Sequence, residues 1–368
     1  MDRRNFMQVT GAGIAAAVAG FPAKVMAADS EDPQAGSQRL SIKQLKSWEA
    51  LGYGMFIHFG MSTFLGQELP DGQASASTYN PDKLDVDQWV SVARDAGMKY
   101  AVLTTKHVAG HCLWPSEHTE YTVANSGNTT DVVEAFVKAC EKRHIKPGLY
   151  YCSWDNHNRF GSETPSDGGI WSDMNSFPKT QIKTMPPHTT SLYHNFQTAQ
   201  ITELLTRYGS IMEMWIDIPG VLGRGYRTFL YNHIAQLQPD IVIMMNGGTG
   251  DGKTYLGDGT TYNVPYTWPS DLVAIERKLP PKEAGYSVWR MIEGKNYYMP
   301  GEVCDPIGKE WFWVSGDSPR PDEELTSMMQ SCRDHGVNLL LDVPPDKHGL
   351  IPQEHIQALQ RLKQNAAL

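Results

Sequence analysis

Short apolar runs alternate with stretches whose apolar residues recur every three or four positions, and the alternation persists along most of the chain. The runs Gly54–Phe59, Tyr100–Thr105, Gly148–Cys152, Met212–Asp217, Ile241–Met245 and Asn338–Val343 are predicted as strands. Between and after them Val86–Ala96, Val132–Arg143, Asn195–Tyr208, Arg227–Leu237, Glu323–His335 and Gln353–Asn365 carry the period of amphipathic helices. Strands that are apolar along most of their length, separated by helices of about three turns, predict βαβ units and a parallel sheet buried on both faces. With no internal repeat and no linker rich in Pro, Gly or Ser, the rhythm favours one (β/α)8-like TIM barrel over an open doubly wound sheet. Two stretches break it. Asn158–Pro187 and Asn246–Pro281 are irregular, each follows a strand, and in a barrel both become loops on the C-terminal face. Gly247–Gly252 is rich in glycine but leads into no helix pattern, so it is not read as a phosphate loop.

The first 27 residues stand apart from this pattern. Arg3 and Arg4 precede a small, apolar stretch from Gly11 to Phe21, and Ala27 and Ala28 follow Lys24 and Val25. That layout predicts a secretory signal of the twin-arginine type, an apolar run too short to span a bilayer, and a periplasmic or secreted mature protein. Residues 28–44 then form a lead-in, and residues 45–368 the catalytic barrel. The signal carries three cations and one anion, so its removal takes the formal charge from −9 to −11. An acidic chain without a basic run argues against nucleic acid and membrane surfaces as partners. Five scattered cysteines without a CxxC pair predict free thiols rather than a disulfide framework.

The chemistry lies at the strand ends. His58, Lys106 with His107, Tyr150 with Tyr151, Trp154 and Asp155, Asp217, and Asn246 each end or directly follow an apolar run. Polar groups converging from five strands on one face of a barrel describe a site. The 10 Trp and 16 Tyr suit the apolar faces of sugar rings, although buried aromatics more often build a core.

These segments resemble a known family. Gly52-Tyr53-Gly54-Met55-Phe56-Ile57-His58-Phe59-Gly60 is similar to the opening strand of the family 29 glycoside hydrolases, the α-L-fucosidases. Thr105-Lys106-His107-Val108-Ala109-Gly110-His111-Cys112-Leu113-Trp114-Pro115-Ser116 resembles that family's histidine block, Gly148–Ser153 its third strand and Trp215-Ile216-Asp217 its nucleophile strand. Tyr298–Cys304, Trp311-Phe312-Trp313 and Asn338–Leu341 extend the likeness, which spans about Trp48 to Pro345.

The resemblance implies a retaining exo-glycosidase that removes terminal α-L-fucose from a fucosylated oligosaccharide or glycoconjugate, without metal or cofactor. Asp217 would be the nucleophile, with a helix-capping carboxylate as the bland alternative. The acid/base would stand about 5–5.5 Å from it. Three residues compete for that role: Glu276 first, in the loop after the fifth strand, then Glu302 and Glu283. His58, Glu68 and His107 would hold the sugar hydroxyls, with Trp114, Tyr151 and Trp154 as aromatic walls. Where the family's block has a second His and then Asp, this chain has Val108 and Ala109, and His111 is the candidate replacement. His107 and His111 stand four apart but lack the accompanying Glu of a zinc helix, so a metal site is not expected. The family's additional C-terminal β-sandwich is not expected in this chain. The alternatives are an inactive sugar-binding protein of the same fold and a glycosidase for a related α-L-sugar.

Overall fold

The computed structural model describes residues 34–158, 190–246, 253–255, 261–263, 268–277 and 287–368. The predicted signal segment, Glu283 and most of the two irregular stretches lie outside the described residues.

Eight parallel strands form one sheet: β1 Tyr53–Ile57, β2 Tyr100–Lys106, β3 Lys146–Cys152, β4 Glu213–Asp217, β5 Val242–Met245, β6 Val273–Glu276, β7 Gly301–Pro306 and β8 Asn338–Asp342. The hydrogen-bonded order runs from β5 back through β1, then to β8, β7 and β6. Side chains sew the remaining seam between β5 and β6. The Asp271 carboxylate accepts the Ile243 backbone N–H at 2.9 Å, and Ser270 Oγ accepts that of Met245 at 3.0 Å. Arg39 reaches across to Asp271 at 2.5 Å and to the Pro239 and Ile241 carbonyls. Arg39 of the lead-in thus braces a seam that the Asp271 backbone N–H also spans, to the Ile243 carbonyl at 2.8 Å, and helix α1 Ile42–Glu49 follows.

Helices α2 Val86–Asp95, α3 Val132–Arg143, α4 Ser191–Arg207, α5 Arg224–Leu237, α6 Asp322–His335 and α7 Gln353–Asn365 cover the outside. Among the described residues no helix joins β5 to β6 or β6 to β7; a hairpin, Trp289–Ile292 with Lys295–Tyr298, precedes β7. Sequence periodicity found six of the eight strands. It missed β6, four residues long, and β7, whose Gly301, Glu302, Asp305 and Pro306 dilute the apolar signal.

Side chains alternate along every strand, and this alternation assigns the two layers. Tyr53, Met55, Leu103, Tyr151, Met214, Ile216, Leu339 and Leu341 pack outward in the strand–helix core. Phe56, Tyr100, Val102, Tyr150, Trp215, Met244, Cys304 and Leu340 fill the barrel. Close packing leaves no room for a side chain on β1 at Gly54, where a Cβ would sit 2.6 Å from the Tyr100 ring. Tyr100 in turn donates to Glu302 at 2.7 Å across the barrel floor, and Trp215 Nε1 donates to the other oxygen at 3.0 Å. The neighbouring Glu213 accepts from Trp48 Nε1. Burial raises the pKa of both Glu213 and Glu302, that of Glu302 to about 7, and the charge of Glu302 adds to the rise of Glu213. All five cysteines are buried and unpaired.

Candidate active site

The inward positions at the C-terminal rim are polar on seven strands. His58 lies just past β1, His107 past β2, Tyr150 on β3, Asp217 at the end of β4, Asn246 past β5, Glu276 at the end of β6 and Asp342 at the end of β8. Placement in register makes them converge: Cys152 pairs with Asp217, Ile216 with Met245 and Cys304 with Glu276.

Asp217 is held on both oxygens. The Tyr150 hydroxyl donates to Oδ2 at 2.6 Å and the Asn246 side-chain amide to Oδ1 at 2.7 Å. The Tyr150 ring stacks on Trp215 with centroids 5.5 Å apart, which fixes the direction of its hydroxyl. The same Asn246 nitrogen lies 3.2 Å from Glu276 Oε2. Glu276 opens to the mouth yet lies among protein atoms, and its removal from bulk water raises its pKa to about 7, with the charge of Asp217 adding to the shift. Asn246 and Arg277 oppose that rise without cancelling it.

Two histidines face these carboxylates. Burial lowers the pKa of His58 to about 3, so the ring is neutral, and its Nδ1 pairs with Asp342 Oδ1 at 2.8 Å. Asp342 itself is pushed up by burial, and with Nδ1 engaged there, His58 Nε2 is left for a substrate hydroxyl. His107 stacks on Tyr150 and meets the Phe312 ring edge-on at 4.9 Å. Burial holds it neutral too, and its Nδ1 has no partner among the described residues. A buried ring nitrogen without a partner is costly unless a ligand supplies one. Glu68 belongs to the same field: burial raises its pKa, and Arg277, Glu310, Asp217 and Asp342 all act on it. Arg277 lies over the Trp311 ring, 4.8 Å from its centroid. Trp154 sits in the inner cluster with Trp215 and Trp311, its indole N–H given to Asn156.

Several expected site residues lie elsewhere. Tyr151 is one residue out of phase with Tyr150, so it faces the helices and bonds Lys106 and Gln200. Trp114 is fully buried in the outer core and donates to Glu203 on α4 at 2.8 Å. Lys106 also points outward, because a bulge between Thr104 and Lys106 shifts the register of β2. It forms a buried ion pair with Asp155 at 2.6 Å that pins the turn after β3. His111 packs between Tyr79 and Tyr121 and bonds Ser126, so it does not replace the family's second histidine. Glu302 is not on a loop: it lies near the start of β7 on the barrel floor, at the end remote from Asp217, which removes it as acid/base. Glu276 is not in a loop either; it is the last residue of β6.

Sequence reading gave no site role to Asp342, Arg277 or Phe312, and it counted Asn246 only among the polar strand ends. For Asp342 the same signal existed: it ends an apolar run in the same inward phase as Asp217.

Residues 71–365 match the family model described as alpha-L-fucosidase. The chain belongs to the α-L-fucosidase family. A relative from Arabidopsis thaliana, named alpha-L-fucosidase 1, is 32% identical over 337 residues, covering 88% of this chain and 60% of the relative. The chain thus spans little more than half the length of that relative. Alpha-L-fucosidase isoenzyme 1 from Paenibacillus thiaminolyticus superposes with a TM-score of 0.68 at 25% identity, covering 88% of this chain and 75% of that one. The unliganded alpha-L-fucosidase from Lactobacillus casei, at 22% identity and a TM-score of 0.66, shares the fold over 88% of this chain and 98% of its own.

Proposed function

We propose that the protein is a retaining exo-α-L-fucosidase that hydrolyses terminal α-L-fucosides of glycans by double displacement. One observation carries the mechanism: Asp217 and Glu276 share a single amide donor. The bonds of 2.7 and 3.2 Å meet at one nitrogen, so the acceptor oxygens lie within the sum of the two. That closeness supports direct attack by a carboxylate, since inverting enzymes separate theirs by about 6.5–9.5 Å to admit a water.

In the first step an Asp217 oxygen bonds to the anomeric carbon while the bond from that carbon to the leaving oxygen breaks. Glu276, still protonated near neutral pH, gives its proton to that oxygen. In the second step Glu276, now a carboxylate, takes a proton from water as the water oxygen displaces Asp217. His58, His107 and Glu68 would bond the sugar hydroxyls, and Trp154, Trp311 and Phe312 would meet its apolar face. A protein that only bound sugar would need neither a doubly bonded carboxylate nor a second one held protonated, so turnover is the better reading. The relatives named alpha-L-fucosidase support fucose over a related α-L-sugar. The arginine pair Arg3-Arg4 and the small apolar stretch after it support export to the periplasm by the twin-arginine route.

Hydrolysis of 4-nitrophenyl α-L-fucoside by the Asp217→Ala and Glu276→Ala variants, with and without azide, tests the assignment. Each variant should lose at least about 100-fold in kcat. Azide should restore turnover as β-fucosyl azide from Asp217→Ala and as α-fucosyl azide from Glu276→Ala. Near wild-type turnover in either variant would remove that residue from its role.

A further inference from the structure

We infer that Asn246 is a positioning residue for both halves of the reaction, holding whichever of the two carboxylates carries the negative charge. This rests on the reading of Asp217 and Glu276 above. The side-chain amide has two N–H bonds, and its nitrogen lies 2.7 Å from Asp217 Oδ1 and 3.2 Å from Glu276 Oε2. Its backbone N–H donates to the Ile216 carbonyl at 2.9 Å, which ties the residue to the strand that carries Asp217.

The charge moves during the reaction while the amide stays. Before attack Asp217 is the anion and Glu276 the neutral acid, and the shorter of the two contacts goes to Asp217. When the Asp217–carbon bond forms and the leaving oxygen takes the proton of Glu276, Asp217 becomes a neutral ester and Glu276 an anion. The second N–H then serves the charged group, and a hydrogen bond to an ionised acceptor is roughly twice as strong as one between neutral groups. The second step reverses the exchange. A donor fixed between the two sites stabilises both charge distributions without moving, as preorganised donors in other active sites do.

Other groups act on the same pair and do not duplicate this role. Tyr150 donates to Asp217 alone. Arg277 and Glu68 act on Glu276 through space, as Cys304 of β7 feels both carboxylates, and His58 and Asp342 face the site from β1 and β8 as a hydrogen-bonded pair. Among the described residues, Asn246 bonds both carboxylates.

The experiment compares Asn246→Ala and the isosteric Asn246→Asp with wild type, after thermal unfolding has checked the fold. Two readouts are used: the pH dependence of kcat/KM on 4-nitrophenyl α-L-fucoside, and the titration of the Asp217 and Glu276 carboxyls by carbon-13 NMR. Loss of the donor should lower kcat by about 100-fold. It should also move both limbs of the pH profile, and both carboxyl titrations, to higher pH, because each anion loses a hydrogen bond that favoured it. A lower rate with both limbs and both titrations unmoved would overturn the inference, as would an unchanged rate. Wild type that binds fucose without turnover would instead overturn the proposed function, and the NMR titrations would still test Asn246.

Discussion

At the scale of single residues, the site works by giving chemically similar groups different surroundings. Asp217 receives two donors, whereas Glu276, at the mouth but surrounded by protein atoms and beside a like charge, shares the Asn246 donor with it. The surroundings of Glu276 raise its pKa, which suits a proton donor in such a pair. Glu276, with a pKa raised to about 7, must be protonated for the first step, so kcat/KM should fall as pH rises through about 7. Arg277 holds that pKa down, so Arg277→Ala should move the alkaline limb to higher pH. A limb that stays in place or moves to lower pH in a pH–rate series would contradict the assignment of Glu276. The neutral state of His58 and His107 follows from burial in the same way, and suits rings that must both donate and accept.

At the scale of elements, strand alternation decides which residues reach the site. Asp217 was legible because a lone carboxylate ends the apolar run Met214-Trp215-Ile216. Phase was harder to read. Tyr150 and Tyr151 are adjacent and alike, and only the packing shows that the first faces the barrel and the second the helices. The bulge before Lys106 adds one residue to the count, sending Lys106 outward and leaving His107 against Tyr150. No local pattern announces such a shift. Glu276 is the first choice in the sequence although its short strand is not legible there, and Glu302 lies on a strand too polar to be predicted. The floor beneath the site is tightly fitted: Gly54 lies against Tyr100, whose hydroxyl is committed to Glu302. Gly54→Ala should therefore cost about 1–3 kcal/mol through overpacking. Thermal unfolding would show it, and an unchanged Tm would mean that the ring can give way.

At the scale of the whole molecule, the barrel stacks two acidic layers, a buried carboxyl pair on its floor and the site at its rim. Burial raises Glu213 and Glu302 above the range in which an unfolded chain releases its carboxyl protons. Between that range and neutrality the native state binds more protons than the unfolded one, so stability should fall as pH rises. Glu302→Gln removes one of these titrations, and its Tm should decline less than that of wild type between about pH 5 and about pH 8. Parallel slopes would show that the pair does not titrate. Closure of the barrel by Arg39 and Asp271 keeps the strand ends in the register that brings Asp217 to Glu276. The central claim is the covalent role of Asp217, and the most direct measurement is mass spectrometry of the protein inactivated with a 2-deoxy-2-fluoro-α-L-fucosyl donor. The account predicts one fluorofucosyl group, mapped to the peptide that carries Asp217; a label on Glu276, or turnover of the donor with no adduct at any residue, would contradict it.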